Sequence, residues 1–309
     1  MSKWLFNNEF QGEGITYKEK LVKLVNEGKS GKQICKEMQI DYVNMHRWLR
    51  KLGINLPNHH NELKFDNTVF DIIDTEEKAY WLGFLYADGY VSSTCNTVEL
   101  SLKGGDIEHL EKYRKFLGLK REIKTSLATC NDKDFTRCRL AVTDKHYHDT
   151  LISKGCVPNK SLILKFPNKS IFSSVDLIIH FIRGYFDGDG CVYKGCSDYS
   201  IISIVGTKEF LCGVVDLFPN LFSSEPYHKD KRRPNSNIYF IGFGGEKSAI
   251  FGDLLYNNAT IYLQRKYDKF IKYKYDKRES FRRMHTFSEK RKLYYNRGGN
   301  WLRKDSCCS

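Results

Sequence analysis

Two nine-residue stretches carry the residues best placed to do chemistry. WLGFLYADG occupies 81–89 and IRGYFDGDG occupies 182–190. Aligning Gly83 with Gly184 also aligns Asp88 with Asp189 and Gly89 with Gly190, at a constant offset of 101 residues. Small residues stand four apart in each stretch, Gly83 and Ala87 in one, Gly184 and Gly188 in the other. Each pair therefore shares one face of a helix, and such faces let two helix backbones approach closely. That packing brings the helix ends together, each with a carboxylate where the helix dipole is already negative. Carboxylates so placed repel, so either one takes a proton or a cation neutralises both. An oxygen-seeking ion that keeps its waters, Mg2+ (or Mn2+), suits the arrangement. Gly89 and Gly190 are expected to allow a sharp exit from each helix.

The elements that must position these acids repeat as well. Helical text leads into each motif, from Thr75 and from Val175. Strand-like text follows, at 90–91 and 97–102 after the first motif and at 191–193 and 199–205 after the second. Next come a helix (106–117; 207–218), a hairpin ending at 138–142 or 238–242, and a third helix (145–154; 246–256). The order αββαββα, written twice, is an α+β class with a pseudo-twofold axis, because neither ~100-residue unit can bury its motif helix alone.

These paired motifs, with their matched flanks, resemble the double signature of the LAGLIDADG homing endonucleases over about residues 65 to 270. In the first motif Tyr86 stands where the signature has its first acid; the second keeps Asp187 there. The resemblance implies that Asp88 and Asp189 are catalytic metal ligands, joined by the backbone carbonyls of Ala87 and Gly188. It implies that Gly83, Ala87, Gly184 and Gly188 pack the helices together. It also implies a catalytic lysine late in each unit, Lys160 in VPNKSLIL and Lys266 in IYLQRKY, with Lys165 and Arg265 as competitors. A lysine there would polarise water or stabilise pentavalent charge. The antiparallel hairpins would form a saddle reading bases along the major groove. Candidate contacts are Arg137 and Arg139, Tyr193 and Lys194, the basic turn Lys231, Arg232 and Arg233, and the loop residues Ser92, Ser93, Asn96 and Ser197.

Composition agrees with a polyanionic partner. The 309 residues hold 50 Lys+Arg and 37 Asp+Glu, a formal net charge of +13. The excess lies at the ends: +4 over residues 1–60, +8 over 271–309 and +1 between. The first segment has the spacing of three short helices and resembles a helix-turn-helix module. Ser30 and Asp41 are its N-caps and Gly53 its last stop. Leu21, Val22, Leu24 and Val25 form one apolar stripe, and Met45, Trp48, Leu49 and Leu52 another. On the last helix Tyr42, Asn44, His46, Arg47, Arg50 and Lys51 are expected to face outward and touch DNA. The expected division is a module at 1–55, a polar linker at 56–64, repeats at 65–170 and 171–270, and a basic aromatic extension at 271–309. That extension interleaves cations with Tyr273, Tyr275, Phe281, Phe287, Tyr294, Tyr295 and Trp301, a composition that tracks phosphates.

Several classes are excluded. No apolar run reaches the ~18 residues a membrane helix needs, and the start shows no secretory pattern. The ten cysteines form no Cys-x-x-Cys pair, which fits free thiols in a reducing intracellular compartment with access to DNA. DGDG at 187–190 fails as a calcium loop, since Val192 holds the position that needs Gly and Asp198 the one that needs Glu. A phosphate-binding GxxxxGK loop is absent. Neither terminus resembles a splicing block, so an intron-encoded or freestanding enzyme is expected rather than an intein. Together these features point to a monomeric, Mg2+-dependent, site-specific endonuclease acting on double-stranded DNA with a long, imperfectly palindromic site. The alternatives are a non-catalytic DNA-binding regulator and an RNA maturase whose partner is intron RNA.

Overall fold

The structure, a computed structural model, describes residues 6–54, 56, 65–130, 133–195, 200–222, 225–230 and 234–274. The chain forms two compact units, residues 1–64 and 65–309. The first contains α1 (Tyr17–Asn26), α2 (Gly31–Met38) and α3 (Tyr42–Leu52). Thr16 and Ser30 each close a capping box, with Glu19 and Gln33, so two orphan amides are satisfied at each helix start. Asp41 accepts from the Asn44 amide at 2.7 Å, and Gly53 ends α3 at φ +64°. Leu21, Leu24, Ile34, Met38, Met45, Trp48 and Leu49 close a core with Phe6 and Phe10. Val22 is only half-buried. Of the expected outward residues, Tyr42, His46, Arg47, Arg50 and Lys51 are exposed. Asn44 departs from the expectation. It is half-buried, donates its amide to Asp41 Oδ2 at 2.6 Å and accepts from Arg47 at 3.2 Å, so capping geometry engages the groups that base contact would need. Within the linker expected at 56–64 only Leu56 is described, and the extension beyond Lys274 lies outside the described residues.

The second unit is α+β. Its first half runs α4 (Glu76–Asp88), β1 (Gly89–Val91), β2 (Thr97–Lys103), α5 (Ile107–Phe116), β3 (Lys124–Cys130), β4 (Lys133–Thr143) and α6 (Lys145–Ser153). Its second half runs α7 (Leu177–Asp189), β5 (Gly190–Lys194), β6 (Ser200–Gly206), α8 (Lys208–Leu217), β7 (His228–Lys229), β8 (Tyr239–Gly244) and α9 (Glu246–Tyr256), followed by α10 (Gln264–Lys274). The sheets share one topology, β1-β2-β4-β3 and β5-β6-β8-β7, with every pair antiparallel. Alternation puts Val98, Leu100, Leu140 and Val142 on the buried face of one sheet, and Val192, Ile202, Ile204 and Ile241 on that of the other.

Helix α4 is buried continuously from Ala79 to Tyr86, as a helix enclosed between two half-domains must be. The contact with α7 is made at backbone distance. A Cβ on Gly83 would collide with the Phe181 carbonyl and the Tyr185 amide, and one on Gly184 with the Tyr80 carbonyl and the Phe84 amide. Each glycine thus meets the residues three before and one after the other glycine, which is local twofold symmetry in the backbone itself. Polar ties cross the same interface: Arg183 donates to Glu76 Oε1 at 2.5 Å, and the Tyr80 hydroxyl donates to Asp187 Oδ2 at 2.8 Å.

The role expected of Gly89 and Gly190 needs correction. Both adopt ordinary extended backbone, φ −69° and −84°. What requires glycine is space, since a Cβ would lie 2.5 Å from the Leu85 or the Phe186 carbonyl.

Candidate active site at the paired helix ends

Asp88 and Asp189 are the last residues of α4 and α7. The glycine contacts one turn and more back force these ends together. At the tip, a Cβ on Gly188 would overlap the Ala87 methyl and lie 3.3 Å from Asp88 Oδ2. Asp88 is exposed and Asp189 half-buried by surface area, yet protein crowds both carboxyls enough to desolvate them. Groups reached by solvent but surrounded on most sides lie in a recess.

The electrostatics follow. Burial pushes Asp88 above the usual carboxylate range, against the pull of Lys266, Lys160 and Arg265. Burial and then the charge of Asp88 push Asp189 up to about 6, against Lys160, Lys266 and the Tyr185 hydroxyl. The charge of Asp88 thus raises Asp189 and that of Asp106 raises Asp88, so negative charge is crowded here.

The structure separates the lysine candidates by a repeated contact. Lys160 sits in a one-turn 3-10 segment, Lys160–Leu162, and donates to the Gly89 carbonyl. Lys266, in the first turn of α10, donates to the equivalent Gly190 carbonyl at 2.6 Å. Each lysine therefore grips the residue after its acid. Lys266 also donates to the carbonyls of Phe186 at 2.7 Å and Gly188 at 2.9 Å, which caps the C-terminus of α7. Its side chain is buried, and desolvation lowers its pKa to about 8. The competitors lie elsewhere: Lys165 is exposed, and Arg265 donates to both oxygens of Asp106, at 2.9 and 3.0 Å.

One expectation fares differently in the two halves. The Gly188 carbonyl, expected as a metal ligand, accepts from the Lys266 ammonium, a contact that Lys160 does not repeat at Ala87. Asp88 and Asp189 offer the carboxylate oxygens that a divalent ion such as Mg2+ prefers. Among the described residues, no group of three or more His, Cys, Asp or Glu is arranged to hold a metal.

The first acid of the second motif, Asp187, is fully buried. It accepts from the Tyr80 hydroxyl, from the Tyr256 hydroxyl at 2.6 Å and from the Leu263 amide at 2.7 Å. Asp106, which raises Asp88, and Tyr185, beside Asp189, were missed in the sequence. Tyr185 lies inside the second motif, one helical turn before Asp189, where it reads as packing; Asp106 lies outside either motif, and only the repeated strand-helix junction at Asp106 and Thr207 hinted at its place.

The sheets begin at the acids, since β1 and β5 follow Asp88 and Asp189 directly. Arg137 and Arg139 lie on the face of β4 opposite buried Cys138 and Leu140. The Arg137 Nε is buried with no hydrogen-bond partner, and Arg139 lies 3.5 Å from Glu99. Tyr193 and Lys194 are exposed at the end of β5. Ser92 is buried and caps its own turn, whereas Ser93 and Asn96 are exposed. Lys231, Arg232, Arg233 and Ser197 lie outside the described residues.

Residues 176–282 match the profile of the LAGLIDADG-like domain family. No curated protein matches the chain. The homing endonuclease I-WcaI bound to its DNA recognition sequence aligns at 13% identity, covering 62% of this chain and 85% of that one, with a TM-score of 0.44. The LAGLIDADG homing endonuclease I-LtrWI bound to target DNA aligns at 12% identity over 64% and 90% of the two chains, TM-score 0.40. The N-terminal LAGLIDADG domain of DUF199/WhiA aligns at 15% over 66% and 93%, TM-score 0.38. No described helix is long and apolar enough to cross a membrane.

Proposed function

We propose that the chain is a divalent-metal-dependent, site-specific endonuclease that cuts both strands of duplex DNA. The observation that carries this is the doubled constellation: two acids at helix ends locked together by glycines, each with a lysine on the following carbonyl. A single acid at a helix end would be an ordinary structural feature; two in a shared recess with matched cations match the need to treat two strands alike.

Asp88 and Asp189 would hold the metal, which supplies charge neutralisation at the scissile phosphate and an activated water. Lys160 and Lys266, anchored on carbonyls next to the acids, hold positive charge where the pentavalent phosphate develops negative charge. Protein crowds the acids on most sides, so fixed charges beside them act more strongly than they would in free solution. The exposed face of β4, with Arg137 and Arg139, supplies the cations and donors that phosphates and base edges require. With both halves in one chain, a monomer completes the site. The N-terminal three-helix unit, with Arg47, Arg50 and Lys51 exposed on α3, would add affinity for DNA. Cys35, Cys95, Cys138, Cys156, Cys191 and Cys212 are free thiols, in keeping with work in a reducing compartment that contains DNA.

The test uses the full chain and a duplex selected for binding. Wild type should linearise a plasmid bearing that duplex with Mg2+ and leave it intact in EDTA. Asp88→Asn or Asp189→Asn should abolish double-strand cleavage with duplex affinity largely kept. Undiminished cleavage by the double variant would refute the mechanism. Tight binding with no cleavage by wild type would instead mark a regulator.

A further inference from the structure

The two sheets differ in chemistry at equivalent places. Register fixes the equivalence without any sequence similarity. Gly89 pairs with Leu100 and Gly190 with Ile204; Leu100 pairs with Leu140 and Ile204 with Ile241. One residue before Leu140 and Ile241, on the opposite face, stand Arg139 and Phe240. In the first sheet a cross-strand row runs Ser101, Arg139, Lys124. In the second the same row runs Val205, Phe240, His228. A hydroxyl, a guanidinium and an ammonium are replaced by an isopropyl, a phenyl and an imidazole.

The apolar row is not buried. Val205 is 38% and Phe240 39% exposed, and the His228 ring tilts over Phe240 at 5.2 Å. Two residues further along the same face Lys103 pairs with Arg137 in the first sheet, whereas pairing of the second ends at Gly206 and Tyr239, the counterparts of Leu102 and Cys138. Exposed apolar groups at the centre of a sheet face call for an apolar contact.

We infer that the two half-sites are read by unlike chemistry at mirrored positions: a guanine by Arg139 in the first half and a thymine methyl by Val205 and Phe240 in the second. The inference rests on the duplex-binding function proposed above. Guanine presents two acceptors, O6 and N7, that a guanidinium meets with a pair of hydrogen bonds, while the thymine C5 methyl is the one apolar group in the major groove. Arg139 can turn to a base because its contact with Glu99 is long, 3.5 Å, and its own side chain reaches solvent. Phe240 and Val205 offer no donor or acceptor side chain, so a G·C pair there would lose hydrogen bonds with water and gain none. The target would then be asymmetric at this position although the protein fold is pseudo-symmetric.

The test is selection from a randomised duplex pool with the full-length protein in EDTA, which needs no cleavage. Wild type should enrich guanine at one position and thymine at its mirror. Arg139→Ala should erase the guanine preference, a loss of roughly five- to 150-fold in discrimination. Phe240→Arg should impose guanine at the mirrored position and make the selected site more palindromic. Selection of the same base at both positions by wild type would overturn the inference. So would an unchanged site for Phe240→Arg, whether or not its oligomeric state shifts; a shift would mark the apolar row as a protein contact. Absence of any enriched duplex would refute duplex binding itself, a separate failure from selection of a palindrome.

Discussion

Adding one methyl group at Gly184 should loosen the whole second unit. The new Cβ would sit under 3.0 Å from three backbone atoms of α4: the Tyr80 carbonyl oxygen, the Phe84 nitrogen at 2.8 Å and the Tyr80 carbonyl carbon at 2.9 Å. None can rotate away, so relief requires the helices to part by roughly 1 Å. Overpacking of this kind costs about 1–3 kcal/mol, and rigid backbone obstacles place Gly184→Ala at the upper end. Alanine recovers about 1 kcal/mol of helix propensity, which leaves a net loss of about 2 kcal/mol. In a domain of this size that lowers Tm by roughly 4–8 °C. Gly83→Ala should match it, because its obstacles, Phe181 and Tyr185, are the symmetric ones. The double variant should fall short of the sum by about 1 kcal/mol, since helices already parted for one methyl accommodate the other. Circular-dichroism melts of the four proteins measure all of this. A Gly184→Ala melt within about 2 °C of wild type, or strict additivity in the pair, would refute a shared close approach.

Three further outcomes follow from other parts of the structure. Lys266→Met should destabilise the second unit by about 2–4 kcal/mol in urea titrations, because three carbonyls lose a charged donor at once; the half-buried Lys160, which makes one such contact, should cost less as Lys160→Met. Burial lowers the His109 pKa from 6.5 to about 3. The unfolded chain therefore binds a proton that the fold refuses between those values, so stability is full above pH 6.5 and falls by about 1.4 kcal/mol per pH unit on acidification towards 3. His109→Gln, which keeps a donor for Tyr80, should flatten the pH 4–6 slope of urea stability, and an unchanged slope would exonerate His109. Arg47→Ala with Arg50→Ala should weaken duplex binding evenly across sequences and lower the salt slope by about 2 if both meet phosphates; an unaltered slope would remove α3 from the interface.

The sequence made the motif helices legible because a repeat supplies its own control. Small residues four apart mean little once, but the second copy at the same offset as a second acid leaves packing as the economical cause, and the collisions at Gly83 and Gly184 bear out that packing. The α and β elements were legible for the usual reason, alternation in the strands and caps such as Ser30 and Asp41 at the helix starts. The meaning of Gly89 and Gly190 was not legible, since a glycine needed for room and one needed for positive φ are the same letter. The lysines were narrowed to pairs and no further. Lys266 and Arg265 are adjacent, and only the third dimension turns one onto the carbonyls of α7 and the other onto Asp106, 159 residues away. The unlike sheet faces were hidden for a related reason. Arg139 and Phe240 stand at the same offset of 101 residues as the acids, but their row partners do not: Ser101 and Val205, and Lys124 and His228, are 104 apart, so only strand register assembles the two rows.

The one place where the first motif departs from the second also has a physical account. Tyr86 and Asp187 hold equivalent positions, two residues before the acid. The Tyr86 hydroxyl donates to the Lys154 carbonyl and occupies the place a Cβ on Gly155 would need. Asp187 accepts from the Leu263 amide. Both side chains thus reach the segment that leads into the lysine, six residues before Lys160 in one half and three before Lys266 in the other. The polarity is inverted, a donor to a carbonyl in the first and an acceptor of an amide in the second. An acid at position 86 would face a carbonyl oxygen in a buried setting, an uncompensated charge of the costliest kind. A tyrosine at 187 would leave the Leu263 amide and the Tyr80 and Tyr256 hydroxyls without an acceptor and has no space among them. The replacement of an acid by tyrosine in the first motif is therefore no sign of a decayed site: the task of holding the lysine's segment is kept, with the hydrogen bond turned round.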